Sequence, residues 1–350
     1  MAARVVSESL SPLKVAGLYI GTVVGAGFAS GQEVLQFFGR HGLGGLWGIG
    51  LATILFAAYG AMILILGHRL RATSHVEVVR ASGIPWAGAL VDAIVTFFLL
   101  GGFSAMAAGS GAVFAEQYGS NALWGSLAMV AISVATVLLG IRGVVSAISL
   151  VAPFLIGSVL LVSLVTLWNA PIQWAWEQPR AAALASWPIS AVAYASYNLV
   201  FAIAVLGPAG VITSETNARR GAFLGAVGLG VCALAIDLAL LTAVPQITRL
   251  EVPMLALADR ALGPLSILYS VVLLAEVYST AVASLYGLVA RLTDPEGPWF
   301  KRLTLVAAAV GFACSLLGFS ELVGRVYSAV GLAGFILLVT VVVGYRRTQS

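Results

Sequence analysis

Of the ionisable side chains inside apolar runs of this 350-residue chain, four matter most: Glu33, Asp237, Glu276 and Arg325. A charge at such depth is costly in lipid, which makes each of them a candidate for function. Glu276 stands with Ser279 and Thr280 at i, i+3 and i+4, a spacing that brings all three to one side of a helix. The carbonyl of Glu276 and the two hydroxyls offer oxygen ligands, which suit a hard cation such as sodium. The Glu276 carboxyl would add charge attraction or take up a proton instead. Hydroxyls in membrane helices also bond back to carbonyls one turn earlier, and that structural reading stands beside the ligand reading.

A second group begins at Gly21-Thr-Val-Val-Gly-Ala-Gly-Phe-Ala-Ser-Gly-Gln-Glu33, where four glycines and a carboxylate interrupt the first apolar run. Backbone freed at that depth needs protein or a water-lined cavity to satisfy it, so such a break marks a binding site. Gly25, Ala26 and Gly27 would supply backbone to a solute, and the carbonyls of Val23 and Ala26 would complete the cation ligands. Amides at Ala29, Ser30 and Gly31 would open the outer half of the broken helix and hold a carboxylate. Glu33 would pair with an ammonium, accept a proton, or favour the helix start. Ser104 in the third run, and Tyr194, Tyr197 and Asn198 in the sixth, would line the same pocket, their rings suited to a cationic or apolar group. Tyr194, Tyr197 and Asn198 could equally tie helices together. Asp237 has no evident partner in its own run, and Arg325 follows Glu321 by four residues, as an ion pair along one helix would.

The elements that position these groups are membrane helices. The chain is 60% hydrophobic and 9% charged, against roughly 25% charged in a soluble domain. Ten runs reach the ~20 residues a span needs: about 13–39, 43–67, 87–115, 121–140, 143–168, 182–207, 218–244, 264–290, 302–319 and 322–344. The first is too long for a cleavable signal and is expected to remain. The whole chain reads as a single transmembrane domain. Between the seventh and eighth runs, Pro253 to Leu262 reads as an amphipathic helix too short to cross, placed as an outer lid. Cys232 and Cys314 lie in apolar runs as packing residues. His41, His68 and His75 map to loops, leaving no intramembrane metal cluster, and no enzyme motif is evident. The net charge of +4 comes from basic residues scattered between the runs, which argues against nucleic acid. No cofactor is expected beyond a coupling ion, Na+ or H+; the partners are a small solute and the lipid bilayer.

With the amino terminus inside, thirteen of the 18 Lys and Arg fall on the cytoplasmic side, Arg4, Lys14, Arg69 and Arg142 among them. Only Arg40, Arg180, Arg249 and Arg260 fall outside, so the positive-inside rule places both termini in the cytoplasm. Five spans per half force any internal repeat, about 12–168 and 182–344, to be inverted. The polar cluster from Ala193 to Phe201 then predicts a second discontinuous helix in the sixth span, the partner of the first.

The block from Gly21 to Gly42, GTVVGAGFASGQEVLQFFGRHG, resembles the start of the YkvI-like family of amino-acid permeases in the amino acid–polyamine–organocation superfamily. The pattern of the whole chain is similar to the leucine-transporter-like fold. The resemblance implies a plasma-membrane secondary transporter with solute held between the first, third, sixth and eighth helices. It also implies a sodium site at the carbonyl of Glu276 and the hydroxyls of Ser279 and Thr280. The acid at 276 departs from that pattern and leaves sodium and proton coupling both open. The expectation is therefore an ion-coupled carrier of an amino-acid-like or zwitterionic solute; a membrane sensor or scaffold, or a passive channel, are the alternatives on the same fold.

Overall fold

A computed structural model of the chain describes residues 9–72, 74–139, 152–174 and 184–349. The described residues form an all-helical bundle of ten spans. The first starts at Pro12, whose fixed φ suits a first helical position, with Ser11 Oγ accepting the Lys14 amide at 3.4 Å. It runs as Pro12–Val23, breaks, makes one turn over Ala26–Ala29 and resumes as Gln32–Phe37. Spans two to five are Leu43–Leu70, Ala87–Tyr118, Ala122–Leu138 and Ala152–Asn169. Spans six to nine are Trp187–Val211, Glu215–Leu240, Ser266–Leu292 and Phe300–Ser315. The tenth passes through Phe319–Leu322, a π turn at Val323–Tyr327, then Ser328–Ala333 and Phe335–Arg347. The expected start of the fifth span at 143, with Arg4, Arg142 and Arg180, lies outside the described residues. His68 belongs to the last turn of the second span and not to a loop, and His75 opens a short helix.

Each of the first four spans packs against its counterpart five positions on: first on sixth, second on seventh, third on eighth, fourth on ninth. That is the contact pattern of two interleaved halves. Between the second and sixth spans the approach is backbone to backbone, as small residues permit in lipid. A Cβ at Gly67 would lie 1.9 Å from the Gly207 carbonyl oxygen, and one at Gly210 would lie 2.2 Å from that of Leu64.

Polar contacts gather at the two ends. At one end Leu10 N donates to Ile212 O at 2.9 Å, Arg69 pairs with Glu215 at 2.8 Å and Arg291 pairs with Asp92 at 2.6 Å. At the other, Arg40 Nη2 donates to Thr248 O at 3.4 Å and Gln36 Nε2 to Ser320 Oγ at 3.1 Å. Arg325 pairs with Glu321 along its own helix at 2.6 Å and faces outward.

The sixth span differs from expectation: it is one uninterrupted helix. Its polar cluster contains no glycine, and Asn198 Nδ2 turns back onto Tyr194 O at 3.0 Å, so Asn198 finds a partner without opening the helix. The interruption in the second half lies instead in the tenth span, at the π turn.

Candidate functional site

The break in the first span is a short stretch of extended backbone. Val24 and Gly25 have φ/ψ of −73/111° and −131/−174°, after which Ala26 starts a new turn. Among the described residues, the amides of Gly25 to Phe28 find no backbone acceptor. The following amides do: Ala29 N donates to Gly25 O at 2.9 Å, Ser30 N to Ala26 O at 2.8 Å and Gly31 N to Phe28 O at 3.0 Å. The available donors are therefore at Gly25 to Phe28, one turn before the expected Ala29, Ser30 and Gly31.

A cavity of about 260 Å³ opens beside these amides, between the first, third, sixth, eighth and tenth spans. Gly25, Ala26, Gly27 and Glu33 reach it from the first span, and Tyr197 and Asn198 from the sixth. Val23, Ala26, Glu276, Ser279 and Thr280, the five expected ion-site residues, all line it as well. Ser279 Oγ donates to Glu276 O at 3.0 Å, the local bond foreseen as the structural alternative; the carbonyl keeps a second lone pair for a ligand.

Glu33 lies in the second position of the Gln32–Phe37 helix but bends back over Gly27. A Cβ at residue 27 would stand 2.0 Å from Glu33 Oε1, so only glycine leaves room for the carboxyl there. Tyr197 donates its hydroxyl hydrogen to Glu33 Oε2.

Three expected lining groups point elsewhere. Ser104 hydrogen-bonds to Leu100 O at 2.8 Å and faces Gly311 of the ninth span; glycine there lets the two helices close over it. Tyr194 packs its ring against Phe37, Phe38 and Phe56 at centroid distances of 5.4, 4.8 and 5.8 Å, behind the cavity. Ala29 to Gly31 form the wall opposite the amino-terminal end. There Tyr269 Oη donates to Ala29 O at 2.5 Å, and Met254 N donates to Ser30 O at 3.0 Å. Met254 belongs to the amphipathic helix Pro253–Leu262, the segment expected as an outer lid, which touches the first span here. Gly31 has φ +77° and its Cβ position falls 2.6 Å from Met254 Cγ, so the turn beneath that helix requires glycine twice over.

Sequence reasoning missed Thr22, Phe98, Gly102, Met106, Phe201, Ser284 and Tyr327, which also line the cavity. Phe98, Phe201 and Tyr327 are ordinary apolar or aromatic residues of spans, and no local signal separates them from packing; only the π turn marks Tyr327. Asp237 lies apart from the cavity. It is fully buried beside Gly39, and neither carboxyl oxygen has a hydrogen-bond partner. Cys232 and Cys314 are free thiols, and no group of His, Cys, Asp and Glu among the described residues could hold a metal ion.

No family model matches the chain. Among solved structures, it is similar to the inward-facing conformation of Mhp1 with a TM-score of 0.67 at 16% identity, covering 97% of this chain and 76% of that one. It is similar to MhsT in complex with L-phenylalanine with a TM-score of 0.60 at 18% identity, over 94% and 89% of the two chains. The outward-open state of a Na+-coupled sialic acid symporter gives 0.58 at 14% identity, over 95% and 78%. The architecture is thus the leucine-transporter-like fold, all α-helical. In sequence, the protein YyaD of Bacillus subtilis (strain 168) is 28% identical over 327 residues, 92% of this chain and 93% of YyaD. The membrane protein YkvI of the same organism is 30% identical over 330 residues, 92% of each chain, and the chain belongs to the family of that protein.

Proposed function

We propose that the chain is a secondary transporter that carries a small amino-acid-like or zwitterionic solute by alternating access, coupled to sodium or protons. It would lie in the plasma membrane with both termini in the cytoplasm and fall within the amino acid–polyamine–organocation superfamily. The observation that carries this reading is the cavity: unpaired amides at a helix break, a carboxyl beside a tyrosine hydroxyl, and the Glu276, Ser279 and Thr280 triplet meet in one space. Such a space, lined by a discontinuous helix in the middle of a ten-span bundle, is how secondary transporters hold their cargo.

Solute groups sort onto this site by charge. The amides of Gly25 to Phe28 suit an acceptor such as a carboxylate, and Glu33 suits an ammonium. The carbonyls of Val23, Ala26 and Glu276 with the hydroxyls of Ser279 and Thr280 suit the coupling cation, or the Glu276 carboxyl carries a proton. Gly21, which is exposed, and Thr22 line the cavity on the amino-terminal side of the break, and on this reading the solute enters from that side. The opposite end is shut by the Tyr269 and Met254 bonds. Opening outward then means breaking those two contacts and lifting the lid.

The test is uptake into proteoliposomes under imposed sodium or proton gradients, with thermal stability as the binding readout. Accumulation driven by sodium and lost in Ser279→Ala supports the ion site. Accumulation driven by a proton gradient and lost in Glu276→Gln selects protons. Binding without accumulation under either gradient would sink the transporter reading, and flux indifferent to both would leave a passive channel.

A further inference from the structure

Among the described residues, the cavity is lined by two carboxyls, Glu33 and Glu276, and by no Lys, Arg or His. Neither carboxyl takes part in a salt bridge among the described residues. A carboxyl withdrawn from water either takes up a proton or needs a cationic partner, and a site that supplies no cation from its own chain leaves that place open to its ligands. One cation is the coupling ion at Glu276, Ser279 and Thr280. The second carboxyl, Glu33, stands in different company.

Four cavity-lining rings from three spans form a connected cluster that meets Glu33 at Tyr197. Tyr197 donates to the Glu33 carboxyl. Tyr327 lies 5.3 Å from Tyr197 and 4.8 Å from Phe98, and Phe201 lies 4.3 Å from Phe98, centroid to centroid. Two features show that this cluster is built toward the cavity. Gly27 leaves the space that the Glu33 carboxyl occupies, and a π turn ends at Tyr327 and inserts one extra residue just where that ring meets the lining. Such insertions in α-helices are frequent at functional sites. An acid beside several aromatic faces is the environment that attracts an organic ammonium ion. The volume of about 260 Å³ is some nine waters' worth at roughly 30 Å³ each, which restricts the ligand to a small molecule.

We infer that the cavity selects an organic ammonium ion bearing an apolar or aromatic substituent, held by Glu33 and the Tyr197, Tyr327, Phe98 and Phe201 rings, and that a carboxylate on the ligand is dispensable. The inference rests on the transport reading's assignment of this cavity as the solute site. It narrows the solute from any zwitterion to molecules recognised by their ammonium end.

Three probes with one aromatic tail separate the possibilities: phenethylamine carries the ammonium alone, L-phenylalanine both charges, and 3-phenylpropionate the carboxylate alone. With the full-length protein in detergent and sodium present, phenethylamine should raise thermal stability with an affinity within about threefold of phenylalanine's, and phenylpropionate should bind at least about tenfold more weakly. Glu33→Gln should lower phenethylamine affinity about tenfold or more while the variant keeps a cooperative thermal transition and the parent's monodisperse elution without ligand, which shows that it is folded. Tyr327→Phe, which keeps the ring, should bind within about threefold of the parent, and Tyr327→Leu should lose about tenfold.

Binding of phenylpropionate in place of the amine overturns the inference, as does failure of all three probes or an unchanged affinity in Glu33→Gln. In proteoliposomes the two readings part. Phenylalanine accumulation that phenethylamine does not inhibit leaves transport standing and removes the ammonium selectivity. Phenethylamine that binds but never accumulates leaves the ammonium site standing and removes transport.

Discussion

Gly27→Ala is the most local perturbation of the site, and its size can be worked from the structure. The new Cβ would stand 2.0 Å from Glu33 Oε1, 2.9 Å from Cδ and 3.0 Å from Cγ, where real Cβ contacts under 3.0 Å essentially do not occur. The carboxyl must retreat by about 1 Å in a close-packed interior. The retreat has two costs for ligand binding. The hydrogen bond from Tyr197 is stretched or lost, worth about 0.6–2 kcal/mol between membrane helices. An ammonium held at about 4 Å is then at about 5 Å, a loss of roughly 0.8 kcal/mol at an effective dielectric of about 20. Together these come to about 1.5–3 kcal/mol, or a ten- to hundredfold weaker ligand. Stability should change little, because the atoms that give way are the end of a flexible side chain. Thermal-shift titration of detergent-solubilised protein measures both quantities. The decisive comparison is the double variant: Glu33→Asp removes one methylene and draws the carboxyl back by about 1.5 Å, making room for the methyl group introduced by Gly27→Ala. Gly27→Ala with Glu33→Asp should therefore bind more tightly than the two single losses predict, a coupling that only contacting residues show. Parental affinity in Gly27→Ala, or simple additivity in the double variant, would refute the placement of Glu33 over Gly27.

Gly67→Ala should destabilise the protein by about 3 kcal/mol, since its Cβ meets the Gly207 carbonyl at 1.9 Å and backbone cannot step aside. Gly50→Ala, with nothing within 4 Å, is the neutral control in the same thermal-unfolding assay. Tyr269→Phe removes the 2.5 Å bond to Ala29 O and should favour outward opening by about 0.6–2 kcal/mol. That appears as roughly three- to thirtyfold faster labelling from outside of a cysteine introduced at Ser30, with Cys232 and Cys314 replaced. Outside the spans, burial and then the nearby Arg291 lower the His75 pKa below the usual 6.5, against the opposing pull of Asp92. The unfolded chain therefore binds the proton more readily, and stability present above about pH 6.5 is lost as pH falls toward the folded value. His75→Gln should flatten that part of the pH–Tm curve; an unchanged slope would assign it to other groups.

The fold was legible in the sequence because lipid imposes it. Runs of about 20 apolar residues have to be helices, and five spans per half have to be inverted, an order consistent with the contacts of the first four spans with their later counterparts. The break at Gly25 was legible too, since four glycines before an acid have no good role in an unbroken membrane helix. What could not be read was which polar residue faces which neighbour. Tyr194 and Tyr197 are three residues apart on one helix, yet one packs behind the cavity against Phe37 and Phe38 and the other reaches Glu33. The choice depends on the rotation of the sixth span against its neighbours, which is set by close contacts such as those at Gly67 and Gly210 and not by the residues next to either tyrosine.

The unbroken sixth helix changes how the two halves share the work. A break in both the first and sixth spans would have given the solute free backbone from each side. Here only the first contributes it, and the second half answers with side chains: Tyr197 from the sixth span, the Glu276 triplet from the eighth, and Tyr327 aimed by the π turn of the tenth. Backbone amides recognise any small acceptor, whereas an acid and a set of rings discriminate by charge and shape. On the transport reading, the first span would then supply free backbone together with the Glu33 carboxyl, and the rings of the third, sixth and tenth spans would share with that carboxyl the choice of solute. Exchanging Tyr327 and Phe201 for smaller apolar residues should accordingly alter which amines bind while leaving the sodium-dependent thermal shift in place. Loss of that shift together with ligand binding would show that the two functions are not divided in this way.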